Sequence, residues 1–165
     1  MSKRKKFLLE EDQIPMQWYN IQADMPNKPL PPLNPATRKP LSAEDLAHIF
    51  NEECSRQELD QEHAWIDIPE EVQDKYRYYR STPLVRAYAL EKALDTPAHI
   101  YFKNESVNPL GSHKINSALP QCYYCKLEGT TNVTTETGAG QWGAALSYAA
   151  SVYGLSAAVY QVKIS

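Results

Sequence analysis

A glycine-rich turn set between a strand-like run and a small-residue helix constrains this chain more than any other feature. The stretch is Thr135-Glu136-Thr137-Gly138-Ala139-Gly140-Gln141-Trp142-Gly143. Before it, Asn132 to Thr135 reads as a strand. After it, Ala144 to Tyr153 reads as a helix, with Gly154 in the C-cap position. Ala157 to Ile164 follows as another strand. Upstream, Ala87 to Leu94 is helix-like, His99 to Lys103 is a short strand with Ile100 and Phe102 on one face, and Lys114 to Glu128 is mostly helical until Gly129 breaks it. Strand, helix, strand, helix, strand implies right-handed crossovers and a parallel sheet. The expected class is α/β, a partial parallel sheet with flanking helices behind an irregular and helical N-terminal extension. Pro120 conflicts locally with this pattern, because proline removes a helical hydrogen bond and clashes with the preceding turn. Either the regular helix begins nearer Ser117, or it is kinked.

The extension has a different texture. Residues 1–40 are dense in proline, and Met25-Pro26-Asn27-Lys28-Pro29-Leu30-Pro31-Pro32 can form neither a helix nor an inner strand. An extended arm lying on a body or a partner is expected. Ser42 then caps a helix whose Glu44 and Asp45 suit its positive end, with Leu46, Ile49 and Phe50 on one face. A second short helix is expected from Asp67, with Pro69 in its first turn. Tyr76, Tyr78 and Tyr79 read as packing residues, since no basic groove accompanies them. The boundary of the extension falls at residues 78/79, giving segments 1–78 and 79–165. Ser81-Thr82-Pro83-Leu84 reads as a turn.

Composition excludes several functions. A formal net charge of −3 over 165 residues leaves no electrostatic footprint for nucleic acid, and the basic start from Lys3 to Lys6 is too short to change that. No segment is long and apolar enough to span a membrane. Phe7-Leu8-Leu9 runs at once into Glu10, Glu11 and Asp12, so there is no secretory h-region. The three cysteines, Cys54, Cys122 and Cys125, fit reduced thiols in a cytoplasmic setting. Cys122-Tyr123-Tyr124-Cys125 spells C-x-x-C, but no second pair exists to complete a metal site and the motif lies inside a helix. Buried packing thiols are the expectation, with no metal.

The chemistry lies elsewhere. Open parallel sheets place their sites at the carboxyl ends of the strands. Lys114 lies in Gly111-Ser112-His113-Lys114, after one expected strand, and Glu136 closes the next. Both then fall on one edge of the sheet. Gly138, Ala139, Gly140 and Gln141 lead into a helix N-terminus, whose free N–H groups favour a carboxylate or a phosphate. Singly, Lys114 reads as a solvated lysine and Glu136 as a helix cap. Together they supply an amine, an acid and an anion seat, the parts needed for amino-acid chemistry on an aldehyde cofactor. Gly138, Gly140 and Gly143 also spell G-x-G-x-x-G, but a dinucleotide site needs an acid about twenty residues on, and Ala158 to Lys163 contains none.

Gly111-Ser112-His113-Lys114-Ile115-Asn116 and Glu136 to Gly143 resemble the tryptophan synthase beta chain family. Arg80-Ser81-Thr82-Pro83-Leu84 resembles the family's opening segment, with Ser81 where proline is usual. Trp142, where the main branch has histidine, and the long arm before Arg80 resemble its divergent second branch. The resemblance covers about residues 60–165, and the arm more loosely. It implies the front part of a fold type II pyridoxal-phosphate enzyme that forms L-tryptophan from L-serine and indole. Lys114 would hold pyridoxal 5'-phosphate as a Schiff base and shuttle the substrate proton. His113 and Asn116 would sit beside the cofactor's phosphate and ring. Glu136 would act as acid and base, and Thr137, Gly138, Ala139, Gly140, Gln141 and Trp142 would hold the substrate carboxylate. A homodimer and an alpha-chain partner are implied for the full-length form. The family's subunit is more than twice as long, so a truncated chain, inactive alone, is the expectation. The other readings are a non-catalytic remnant or interaction module, and a dinucleotide-binding oxidoreductase domain.

Overall fold

A computed structural model describes residues 4–163. In chain order the elements are β1 (Lys6–Phe7), β2 (Gln17–Tyr19), α1 (Ala43–Ala47), α2 (Glu52–Leu59), β3 (Trp65–Asp67), α3 (Glu70–Arg77), β4 (Leu84–Arg86), α4 (Tyr88–Ala93), β5 (Tyr101–Lys103), α5 (Ile115–Leu127), β6 (Asn132–Thr137), α6 (Gln141–Tyr153) and β7 (Ser156–Gln161). Short 3₁₀ turns interrupt the arm and the segment after β5.

The C-terminal unit is the expected α/β layer. β6 and β7 pair in parallel, in register from Asn132 opposite Ser156 to Thr137 opposite Gln161. The crossover between them is α6. Its alanines and glycine let it lie close: Ala145 and Ala149 are fully buried. At Gly143 the fit is tightest, since a Cβ there would sit 2.5 Å from Val159 Cγ1 and 3.0 Å from Thr137 Cγ2. Gly154 ends the helix at φ 74°, and its N–H turns back to the carbonyls of Ala150 and Ser151. Ile115, Ala118, Leu119 and Cys122 of α5 share one hydrophobic core with Ala145, Leu146, Ala149, Ala150 and Tyr153 of α6, and with Val72 and Tyr76 of α3.

The third strand departs from expectation. β5 does not join the parallel sheet among the described residues; it pairs antiparallel with β4, and β1 closes the other side of β4. The segment around Leu84 reads as a turn in the sequence, yet residues 84–86 offer a strand edge that β5 reaches first. The six-residue α4 folds the chain back, and Arg86 and Glu91 clamp the return with a 2.9 Å ion pair while Glu91 accepts the Ile100 N–H at 2.8 Å. The final strand also stops earlier than its pattern indicates, at Gln161, and Ile164 and Lys3 lie outside the described residues.

The arm does lie on the body. Besides β1 on β4, β2 pairs antiparallel with β3, Lys28 Nζ donates to the Gln61 carbonyl at 3.2 Å, and Gln61 Nε2 donates to the Pro29 carbonyl at 2.8 Å. Ser42 caps α1 in a reciprocal box with Asp45. Leu46 is buried, but the helix ends at Ala47 and leaves Ile49 and Phe50 77% and 56% exposed. The next helix, α2, is capped by Asn51. Asp67 belongs to β3 and not to a helix, so α3 starts at Glu70 behind Pro69. Of the three tyrosines only Tyr78 points to solvent, at 84% exposure.

α5 runs unbroken from Ile115, with Pro120 inside it. Proline at 120 removes the N–H that the Asn116 carbonyl would accept. The Tyr76 hydroxyl donates to that carbonyl instead, at 2.5 Å. Neither a late start nor a break is needed.

Candidate active site

α5 and α6 run side by side in the same direction. Tyr123 and Tyr153, near their C-terminal ends, meet with ring centroids 5.8 Å apart, and each helix is 13 residues long. By helical rise α5 therefore starts about 12 Å and α6 about 18 Å away from that contact, at the same end of the β6–β7 pair. The start of α5 carries Lys114 at its N-cap. The start of α6 carries the glycine turn, and Glu136 lies just before it in β6. The sheet-edge reasoning from the sequence is thus replaced: Lys114 follows a strand of another sheet, and helix packing brings the two segments to one end.

The turn into α6 is built for close approach. Gly140 sits at φ 91°, where an L side chain is strained, and is the N-cap of the helix. As at any helix start, the first N–H groups have no intrahelical acceptor and carry the positive end of the dipole. Gly138 has open space where a Cβ would lie. Gln161, at the end of β7, donates from Nε2 to the Gly138 carbonyl at 3.4 Å. That residue lies in the stretch where a dinucleotide site would need an acid, and it supports the turn instead. Thr137 is 5% exposed, whereas Glu136, Gly138, Ala139 and Gln141 are exposed and Gly140 is half-buried. The half-buried Trp142 turns its indole away, its Nε1 donating to Thr135 Oγ1 at 2.9 Å. This leaves backbone, not side chain, as what Trp142 presents at the turn.

Lys114 is half-buried, its N–H 3.4 Å from Ser112 Oγ. Among the described residues neither its ammonium nor the Glu136 carboxylate takes part in an ion pair. His113 and Asn116 face a different space. They line a cavity of about 410 Å³ with Trp18, Tyr76, Arg80 and Tyr124, a cavity that Lys114 does not line. Asn116 is further committed, its Oδ1 accepting from the Tyr79 hydroxyl at 2.8 Å and its Nδ2 donating to Glu105 Oε2 at 3.5 Å.

Four residues around the site carry no chemical signature in the sequence: Thr82, Glu105, Asn108 and Gln161. Thr82 and Asn108 are 4% and 6% exposed. Burial works against the charge of Glu105, but hydrogen bonds from Thr82 and Asn108, the charge of Lys103 and a bond from Asn116 outweigh it and hold the carboxyl below its usual pKa. The one legible signal was Asn108-Pro109 with Gly111 close behind, a turn pattern. The C-x-x-C cysteines behave as packing groups. Cys122 is in the core, its thiol pushed up to about 12 by burial, and Cys125 lies 3.7 Å from Asn51 Nδ2.

The donor set can be tested against an aldehyde cofactor carrying a phosphate. A primary amine held in no ion pair fits the aldehyde of such a group, and the glycine-lined helix start at the same end fits the carboxylate of an amino-acid substrate beside it. The sequence profile described as pyridoxal-phosphate dependent enzyme matches residues 76–164, more than half of the chain. The chain belongs to the pyridoxal-phosphate dependent enzymes.

Within this family of pyridoxal-phosphate dependent enzymes the similarity is to one kind of subunit. The chain is 52% identical over 95% of its length to a tryptophan synthase beta chain 2 of Thermotoga maritima, and 52% identical over 98% to one of Aquifex aeolicus. It is 49% identical over 97% of its length to a tryptophan synthase beta chain 2 of Methanosarcina mazei. It spans about 37% of the length of the first of these relatives.

Proposed function

We propose that this chain carries the cofactor-anchoring lysine and the acid/base carboxylate of a tryptophan synthase beta chain, which replaces the hydroxyl of L-serine with indole to form L-tryptophan. The observation that carries the proposal is the parallel packing of α5 and α6, which opens Lys114, Glu136 and the glycine turn on one end of the molecule. Pyridoxal 5'-phosphate, when bound, supplies an aldehyde that takes an amine and a ring that draws electrons from the substrate Cα. Lys114 anchors it and moves the Cα proton, since a primary amine can act both as nucleophile and as base. His113 and Asn116 line the adjoining cavity and would meet the cofactor only from that side. Glu136 gives a proton to the departing serine hydroxyl and takes one back from the incoming indole. Thr137, Gly138, Ala139, Gly140, Gln141 and Trp142 hold the substrate carboxylate by their backbone N–H groups.

The same reading makes residues 1–78 an extension packed on a catalytic body that begins at 79. It places the protein in the cytoplasm, with a homodimer as its working form and an alpha chain as its partner. No helix among the described residues is long and apolar enough to cross a membrane.

The test is borohydride reduction of a full-length subunit carrying this segment, in the presence of pyridoxal 5'-phosphate, followed by peptide mapping. Label is expected on Lys114. Glu136→Ala is expected to keep that label and to lose on the order of 10²–10⁴ in tryptophan formation. Label on another lysine would refute the anchor. Near-normal turnover of Glu136→Ala would leave Glu136 as a helix cap.

A further inference from the structure

Lys114 is placed by a turn that a single buried amide ties together. Residues 108–113 lie between a 3₁₀ turn at Glu105–Val107 and α5, outside any helix or strand. The Asn108 Oδ1 accepts the N–H groups of Leu110 and Ser112 at 3.0 and 3.3 Å. Its Nδ2 donates to the Ser112 carbonyl at 2.9 Å and to Glu105 Oε2 at 3.2 Å, and its own carbonyl accepts the Gly111 N–H at 3.1 Å. The Glu105 carboxylate then joins the turn to the rest of the protein. Its Oε1 accepts from Thr82 Oγ1 at 2.5 Å, and its Oε2 also takes the Asn116 amide. The Thr82 carbonyl in turn accepts from the Lys103 ammonium. One carboxylate thereby holds Ser112, two residues before Lys114, through Asn108, and holds Asn116, two residues after it, directly. Every polar group of Asn108 is used, and a buried network of this kind keeps one geometry because any slip leaves a group unpaired.

We propose that Asn108 and Glu105 are positioning residues that fix the backbone on both sides of Lys114 and so aim its amine at the cofactor. The aim toward a cofactor rests on the reading of Lys114 given above; the clamp on residues 108–116 does not. Neither side chain is a catalytic residue here, since both act through the course of the chain.

Three variants and three measurements test it. Asn108→Ala removes the clamp, and Glu105→Met keeps roughly the length of Glu105 but removes both carboxylate oxygens that accept from Thr82, Asn108 and Asn116. In both, borohydride trapping of pyridoxal 5'-phosphate at Lys114 should fall on the order of 10- to 100-fold, the scale expected for a misaimed reacting group, with labelling of surface lysines unchanged. Hydrogen exchange of peptides covering 108–116 should speed up roughly tenfold, as for the loss of one buried hydrogen bond, with the β6–α6 peptides unaffected. The thermal midpoint reports whether either variant has lost its fold as a whole. Should Asn108→Ala fail to fold, Glu105→Met decides. Asn108→Asp keeps the two accepted bonds and loses the donated ones; it should restore slow exchange at Leu110 and Ser112 while trapping stays low. Unchanged trapping and unchanged exchange in Glu105→Met would overturn the proposal. So would a loss of trapping that only follows faster exchange throughout the molecule. If the unaltered protein is labelled at another lysine, the anchor reading falls, and local exchange alone then decides whether the clamp exists.

Discussion

The Tyr76 hydroxyl stands in for the amide hydrogen that Pro120 lacks, donating to the Asn116 carbonyl at 2.5 Å. Tyr76 is 1% exposed, so no water can readily replace it. This one bond lets α5 pass through a proline without a break, and it fastens α3 to the helix that begins at Lys114.

Tyr76→Phe should destabilise the protein by about 1–3 kcal/mol, the cost of leaving a buried carbonyl unpaired. Pro120→Ala returns an N–H to the same acceptor. In the double variant the loss from Tyr76→Phe should therefore shrink by about 1 kcal/mol. Urea midpoints of the four proteins measure this coupling. Strict additivity would show that the hydroxyl does not serve the proline's orphaned carbonyl.

Gly143 is a packing glycine, not a phosphate-binding one. Its added Cβ would meet Val159 Cγ1 at 2.5 Å, which must push α6 off β7. Gly143→Ala should cost about 1–3 kcal/mol, as overpacking does. The penalty should fall when Val159→Ala clears the space. Thermal unfolding of the single and double variants tests it, and an equal penalty in both backgrounds would contradict the contact.

Asp60 stabilises its turn through charge. Its Oδ1 accepts the N–H groups of Glu62 and His63 at 2.9 and 3.0 Å, and the His63 ring nitrogen lies 2.9 Å from Oδ2. The His63 and Glu62 amides hold the carboxyl at about 2, below the ordinary 3.8. A carboxyl depressed in the folded state contributes fully above its unfolded pKa and loses that contribution as pH falls through the folded one. The advantage of the natural chain over Asp60→Asn should thus be constant above about pH 4 and disappear on the way to about pH 2. Denaturant midpoints taken down this range measure it. A difference that does not change with pH would remove any role for the charge.

Local patterns announced the C-terminal unit well. Gly129, Gly154 and the β-branched run before Glu136 mark element ends by backbone preference alone, and β6, α6 and β7 lie close to where those marks put them. The Ser42 cap and the packing of Cys122 were legible for the same reason, since a hydroxyl before Asp45 and an apolar helix face act within a few residues. α2 and β3 were missed. α2 buries only Ser55, and β3 is three residues long, so neither shows a hydrophobic period.

The site divides along the same line. Its amine, its acid and its glycine turn could be named from residue type and spacing, because the chemistry needs those groups and few others supply it. Their meeting at one end was expected, but from a shared parallel sheet, whereas the packing of α5 on α6 is what brings them there. That packing depends on Tyr123 against Tyr153 and on the alanine face of α6, contacts between residues far apart in the chain. The partner of β5 was decided the same way: period-two alternation tells which face of a strand is buried, but not which edge it pairs with. So it was too for Asn108, Glu105 and Gln161, polar residues whose importance lies in what tertiary folding places beside them. The sequence by itself determined the elements of the C-terminal unit and which chemical groups are present, through forces that act over a few residues; only the tertiary structure decided the short strands of the front half, which edges pair, which carbonyl Tyr76 serves and what holds Lys114 in place, because those depend on the three-dimensional competition for buried surface and hydrogen-bond partners.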